Sequence, residues 1–300
     1  MLYNFKRNTN IYVVYAGNRY LLSVYPDVTF SQTFKEESYS VKTLHAPTDN
    51  FDGAVITSAN PANFNFTIPL IEEEDFQIIF DLLVNYSGNS INSFDLYAEA
   101  DHGVYKIATC VFEAGTFRLA KGSIMLLELS GSGSQLSRIG TKGVYTVPGT
   151  PIARSSTMTY IVPRISKTTI GGSTLDYVAS VSLELQNKIS WTPADTLQAS
   201  LAVTNASNTI YPTEFTLEGR ILSGSVTQYV TSDDFDDQQT WSTGSPITIQ
   251  VGYRIPYTLD VSIPSAVYTN RTAPGDLYTQ TWDFRMLTNP TALSSVITYN

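Results

Sequence analysis

The chain says nearly the same thing twice. Asn65-Phe66-Thr67-Ile68 has a counterpart in Glu214-Phe215-Thr216-Leu217, with the same Phe-Thr-aliphatic core. Val28-Thr29-Phe30-Ser31-Gln32 is loosely echoed by Val181-Ser182-Leu183-Glu184-Leu185, and Gln135-Leu136-Ser137-Arg138-Ile139 by Ala292-Leu293-Ser294-Ser295-Val296. The three echoes come in the same order, with separations between 149 and 157 residues. Such an order points to duplication of one unit of roughly 150 residues. The expected units are residues 1–146 and 147–300, with the junction in the Gly- and Pro-bearing stretch from Thr141 to Ser156. Each unit is long enough to bury its own core.

Most of the chain is patterned as short strands broken by Gly, Pro, Asn and Asp, which argues for sandwiches or barrels. Ile11–Tyr15 and Tyr20–Tyr25, split by Ala16-Gly17-Asn18, form a hairpin signal. Val28–Phe34 alternates as a strand does. Further strands are expected at Ser93–Glu99, Val104–Phe112, Ser123–Leu129, Tyr160–Ile165, Val178–Leu185, Leu197–Thr204, Ile247–Tyr253, Tyr257–Ile263 and Tyr278–Leu287. One segment departs from this pattern. From Glu72 to Val84, Phe76, Ile79, Phe80 and Leu83 fall on one helical face. Glu72, Glu73, Glu74 and Asp75 stand where the helix dipole favours negative charge. In the second unit Leu222, Val226, Tyr229 and Val230 repeat that spacing and predict a weaker helix, with Gly224 inside it.

Charge and cysteine usage narrow the function. The formal net charge is -9, divided as -5 over residues 1–150 and -4 over residues 151–300. No basic block grips phosphate, so the footprint of a nucleic-acid binder is missing. An acidic wall would instead let DNA slide past. Cys110 is the only cysteine, which rules out an internal disulfide and a Cys-rich metal site. Met1 to Arg7 has no apolar core of a signal peptide, and no run approaches a membrane helix. A chain made and kept in a reducing cytoplasm is expected.

Catalytic motifs are missing. His45 and His102 are the only histidines. No Gly-x-Ser-x-Gly elbow, Walker sequence or Gly-x-Gly-x-x-Gly run occurs. Gly131-Ser132-Gly133-Ser134 reads as a turn. The carboxylates of Glu72–Asp75 read as dipole complementation rather than as a glycosidase pair. Asp233-Asp234-Phe235-Asp236-Asp237 lacks the spacing of a calcium loop, since Gly244 and Ser245 stand where the closing Glu belongs. No catalytic residue, cofactor or metal is expected. The 19 Tyr and 3 Trp are spread along the chain as core and interface residues would be, not gathered into a sugar platform.

The stretch from Thr43 to Phe64 is longer than a compact domain needs for a connection. It is rich in residues that want burial: Leu44, Phe51, Val55, Ile56 and Phe64. Val41-Lys42-Thr43-Leu44-His45-Ala46-Pro47-Thr48, Phe51-Asp52-Gly53-Ala54-Val55-Ile56, and Asn60-Pro61-Ala62-Asn63-Phe64-Asn65-Phe66-Thr67-Ile68-Pro69-Leu70, followed by the acidic-headed helix, resemble the tail tube proteins of long-tailed bacteriophages. The duplicated plan is similar to that of the two-domain tube proteins of some siphophages. The resemblance implies a mainly β chain of two tandem β-barrel or sandwich tail-tube domains, each with one flanking α-helix. It implies trimeric rings of pseudo-hexameric outline, stacked into a hollow conduit for DNA ejection. It also implies a place in the virion after assembly in the host cytoplasm. A tape-measure protein would fill the lumen before ejection, and terminator and tail-tip proteins would be further partners. By the same resemblance the long loop reaches the adjoining ring, with Leu44, His45, Pro47, Phe51, Asn60, Asn63 and Phe64 as contacts. A receptor- or carbohydrate-binding β-sandwich of the virion is the alternative the composition allows.

Overall fold

Alternation of apolar and polar residues dominates the chain, and strands dominate the computed structural model. It describes residues 8–39, 53–70, 74–87, 90–120, 122–153, 164–191, 210–230, 244–252, 259–287 and 293–299. In the first half these form β1 (Asn10–Tyr15), β2 (Asn18–Leu22), β3 (Thr29–Ser31), β4 (Phe34–Tyr39), β5 (Gly53–Ala59) and β6 (Ala62–Pro69). Helix α1 (Glu74–Val84) comes next, followed by β7 (Tyr86–Ser87), β8 (Ser90–Ile91), β9 (Phe94–Ala100), β10 (Gly103–Ala120), β11 (Leu126–Gly133), β12 (Gln135–Gly140) and β13 (Thr150–Pro151). The second half holds β14 (Ile165–Ile170), β15 (Ser173–Thr174), β16 (Val178–Trp191), β17 (Phe215–Tyr229), β18 (Ser245–Val251), β19 (Leu259–Ala273), β20 (Thr279–Met286) and β21 (Ile297–Tyr299).

The fold turns on β10, which at 18 residues is about three times the usual strand. One edge is occupied along its length by β11 and then β12. The other edge is shared. Gly103–Ile107 pair with β9, whereas Ala114–Ala120 pair with β16 of the second half. The change of partner falls at an irregular stretch, with register shifts between Ile107 and Cys110 and between Phe112 and Ala114. Thr109 there has a left-handed backbone, with φ 52°, and its N–H is held by Asp95 Oδ1 at 3.1 Å. Bulges bend and twist a strand, which lets one strand serve two sheets. The pairings among the described residues therefore form an open, branched sheet. Of the expected barrel or sandwich, no closed barrel forms among the described residues, where β10 passes the sheet on to the second half.

Most of the core lies on one face of this sheet, and a smaller cluster of Tyr97, Val104 and Val147 lies on the other. Phe64, Phe66, Phe94 and Phe112 pack ring on ring at 4.7–6.3 Å between centroids. Helix α1 buries Ile79, Phe80, Leu82, Leu83 and Val84. It lies close to β10 because Gly115 leaves room: a Cβ there would stand 2.4 Å from Leu83 Cδ2. The β1–β2 hairpin turns through Ala16 and Gly17, both at positive φ, which suits the twist of a two-residue hairpin.

The second expected helix is a strand. Leu222, Val226, Tyr229 and Val230 have helical spacing, but β17 runs through Tyr229. From Leu222 onward its buried residues are Leu222, Val226 and Gln228, all on one face as alternate strand positions are. Gly224 and the β-branched Val226 and Thr227 disfavour helix in any case. Gly131 and Gly133 also lie within a strand, β11, not in a turn. Gly131 faces Phe64 across the ladder, and a Cβ there would stand 2.2 Å from Val111 O. β10, β16 and β19 run well past their expected ends. The expected strands at Leu197–Thr204 and most of Tyr160–Ile165 lie outside the described residues.

Candidate assembly surface

The face of the long sheet opposite the core is polar. Across β3, β6, β11, β10 and β16 it presents Thr29, Asn65, Thr67, Glu128, Thr116 and Glu184, and with Asp27 these line a trough of about 480 Å3. Thr67 donates to Asp27 at 2.8 Å, and Thr29 to Asn65 at 2.6 Å. Two ion pairs stand on this face. Arg118 meets Glu128 at 2.9 Å across β10 and β11, and Arg271 meets Asp283 at 2.6 Å across β19 and β20. Both are exposed enough that each is worth about 0–1 kcal/mol. Their role here is to leave little unpaired charge on the face.

The two ion pairs mark a deeper repetition. In the first half the strands neighbour one another as β2, β1, β9, β10, β11, β6, β3, with β12 beside the start of β10. In the second half the order is β15, β14, β18, β19, β20, β17, β16, with β21 beside the start of β19. Each strand of one series occupies the place of its counterpart in the other. Thr116 faces Glu128 as Thr269 faces Asp283. This equivalence revises the sequence pairs: it puts Thr29 in the place of Glu184, not of Ser182. Phe66 faces Leu129 on β11, whereas Phe215 faces Trp191 at the far end of a longer hairpin. The residue in the place of Phe66 is Gly224, which faces Phe284 on β20.

The halves meet where β10 pairs with β16, and side chains reinforce that joint. Asn187, 3% exposed on β16, donates to Phe112 O at 2.9 Å and to Leu83 O at 3.2 Å. Arg220 on β17 donates to Leu83 O at 2.9 Å and also to Val84 O. The carbonyls at the C-terminal end of α1 are thus satisfied by donors from the other half, with a cation where the helix dipole favours one. Phe80 packs on Tyr299 of the last strand at 6.0 Å. Trp191 donates to Ser132 at 2.8 Å, and Phe34 meets Tyr211 edge-on at 6.5 Å.

Of the residues expected to touch a neighbouring ring, Leu44, His45, Pro47 and Phe51 lie outside the described residues. Asn60 is at the β5–β6 corner, where it donates to Thr33 Oγ1 at 2.9 Å. Asn63 is exposed on β6, opposite Ser31. Phe64 is a core residue, 3% exposed, because it sits on the inward face of β6 rather than in a loop. Sequence reading passed over Arg118, Glu128, Arg271, Asp283, Asn187 and Arg220. A usable signal existed for the first four: Thr116-Phe117-Arg118 and Thr269-Asn270-Arg271 share a Thr-x-Arg spacing 153 residues apart.

The titratable groups away from this face look structural. Burial pushes the Cys110 thiol well up, and its S–H donates to Ile107 O at 3.3 Å. Burial would lower Lys106, but its ion pair with Asp95 at 2.7 Å outweighs that and holds it up. Among the described residues no cluster of His, Cys, Asp and Glu is arranged to hold a metal. No helix among them is long and apolar enough to cross a membrane.

Comparison with known families gives a match over almost the whole chain. The model described as the Bacteriophage Baseplate Tube Protein Family covers residues 1–299. No curated protein matches the chain.

Proposed function

The chain belongs to the bacteriophage baseplate tube family, and from that membership we propose that three copies close head to tail into a pseudo-sixfold ring. Such rings stack into the hollow conduit through which DNA leaves the particle. The observation that carries this reading is the joint between β10 and β16. It is an antiparallel strand pairing between two halves of like strand order, which supports an origin by duplication into units 1–146 and 147–300. The corresponding outer edges, at β3 and at the end of β19, have no strand partner among the described residues. Unpaired edges are a hazard unless a fold uses them, and a head-to-tail contact that closes gives a ring.

The polar face suits the inner wall. It sets Asp27, Glu128, Glu184 and Asp283 against Arg118, Arg271 and Arg285, with no basic excess to hold phosphate. A tape-measure protein occupies the lumen before ejection, and terminator and tip proteins cap the ends. Leu44, His45, Pro47 and Phe51 belong to the loop that reaches the next ring. Assembly takes place in the host cytoplasm. Negative-stain electron microscopy across a concentration series tests the reading. Hollow rings and tubes are expected. Uniform small particles at every concentration, also after addition of tail-tip material, would refute it and favour a binding module.

A further inference from the structure

We infer, resting on that reading, which edges join neighbouring copies and in what register: Val267–Thr269 of β19 pair antiparallel with β3 of the next copy, with Thr269 opposite Thr29. The inference comes from the joint that each chain already contains. There, Thr116 of β10 stands opposite Glu184 of β16. The ion pairs fix Thr269 as the equivalent of Thr116, since Thr116 faces Glu128 and Thr269 faces Asp283. The other partner follows along the ladder. Ser130 faces Asn65, and Asn65 faces Thr29. In the second half Arg285 faces Ser223, and Ser223 faces Glu184. Thr29 therefore holds the place of Glu184.

Exposure and charge agree with this register. Beyond Ala266 the edge of β19 away from β20 has no strand partner among the described residues. Thr269, Asn270 and Arg271 are exposed, as are Asp27, Thr29 and Ser31. Both strands present their polar side chains on the face that carries the trough. Two residues further along, Arg271 comes opposite Asp27 in the turn before β3. Its guanidinium has donors enough to hold Asp283 and that second carboxylate together. Opposite charges across a strand pair stabilise it, and a two-residue slip would lose the Arg271–Asp27 pair.

Variants with one added cysteine test the register, since the native Cys110 is buried. Chains carrying Thr29→Cys and chains carrying Thr269→Cys are mixed, assembled and treated with a short thiol-to-thiol cross-linker. The in-chain equivalent, Thr116→Cys with Glu184→Cys, calibrates the geometry. A two-chain product is expected in the mixture and in neither variant alone. The double variant Thr29→Cys/Thr269→Cys should give a ladder that ends at three chains. Rings seen by electron microscopy without that cross-link, while the in-chain control links, would overturn the register and leave the ring standing. Absence of rings from the unmodified chain at every concentration, also after addition of tail-tip material, would overturn both.

Discussion

Replacing Gly224 with Ala separates the strand reading of residues 215–229 from the helical one by the sign of its effect. In a helix the change would stabilise by about 1 kcal/mol, because Ala is the better helix former. In β17 the added Cβ would stand 2.4 Å from Ser182 O and 2.6 Å from Phe284 Cζ. The first is backbone of the paired strand and cannot swing away. The second belongs to a buried ring facing Gly224 on β20. Overpacking of this kind costs about 1–3 kcal/mol. For a chain of this size about 2–4 °C of melting temperature accompanies each kcal/mol, so a fall of roughly 2–12 °C is expected. Gly219 is the control within the same strand, since nothing stands within 4 Å of a Cβ placed there. Gly219→Ala should be neutral or slightly stabilising, as fewer unfolded conformations remain to be lost. Thermal melts and urea titrations of the two variants beside the parent read the difference. Stabilisation by Gly224→Ala equal to that by Gly219→Ala would refute the packing argument.

Asn187→Ala should cost about 1–3 kcal/mol in urea titration, because it leaves Phe112 O without that donor at a buried joint; an unchanged midpoint would mean that Asn187 does not tie the halves. Cys110 should resist thiol reagents in the folded chain and react only on denaturation, given its complete burial and raised pKa; labelling at native rates would contradict this. Stability should hold across neutral pH and fall above about pH 10, in melts taken at stepped pH. Tyr12 and Tyr97 are raised by burial first, and Lys106 is raised by Asp95 against the opposing effect of burial. All three hold protons more tightly when folded, so their contribution is complete below the unfolded values and is lost as pH rises through the folded ones. Deleting residues 44–51 should leave a folded chain that forms no tubes; normal tubes by electron microscopy would remove that loop from stacking.

Strand content and helix α1 were legible because they rest on local periodicity along the chain. Helix α1 begins at Glu74 and ends at Val84, within two residues of the sequence reading. The second helix was misread because a sheet face can mimic helical spacing. Leu222 and Val226 are four residues apart in either structure, and only the partners on β16 and β20 decide between them. Phe64 was assigned to a loop because Asn60-Pro61 before it resembles a break, whereas it is the inward residue of an alternating strand. The pairing of β10 with β16 was not legible at all. It joins residues some 70 positions apart, and neither strand advertises which edge will be left open. Asn187 and Arg220 were invisible for the same reason: their partners are backbone carbonyls of another element.

A cryo-electron microscopy reconstruction of one assembled ring, resolved well enough to trace strands, tests the central claim most directly. The account predicts six joints around the ring from three chains, with β10–β16 inside each chain alternating with β19–β3 between chains, and the Arg118 and Arg271 ion pairs on the inner wall. A ring in which copies meet through other edges, or in which the polar face of the sheet points outward, would contradict it.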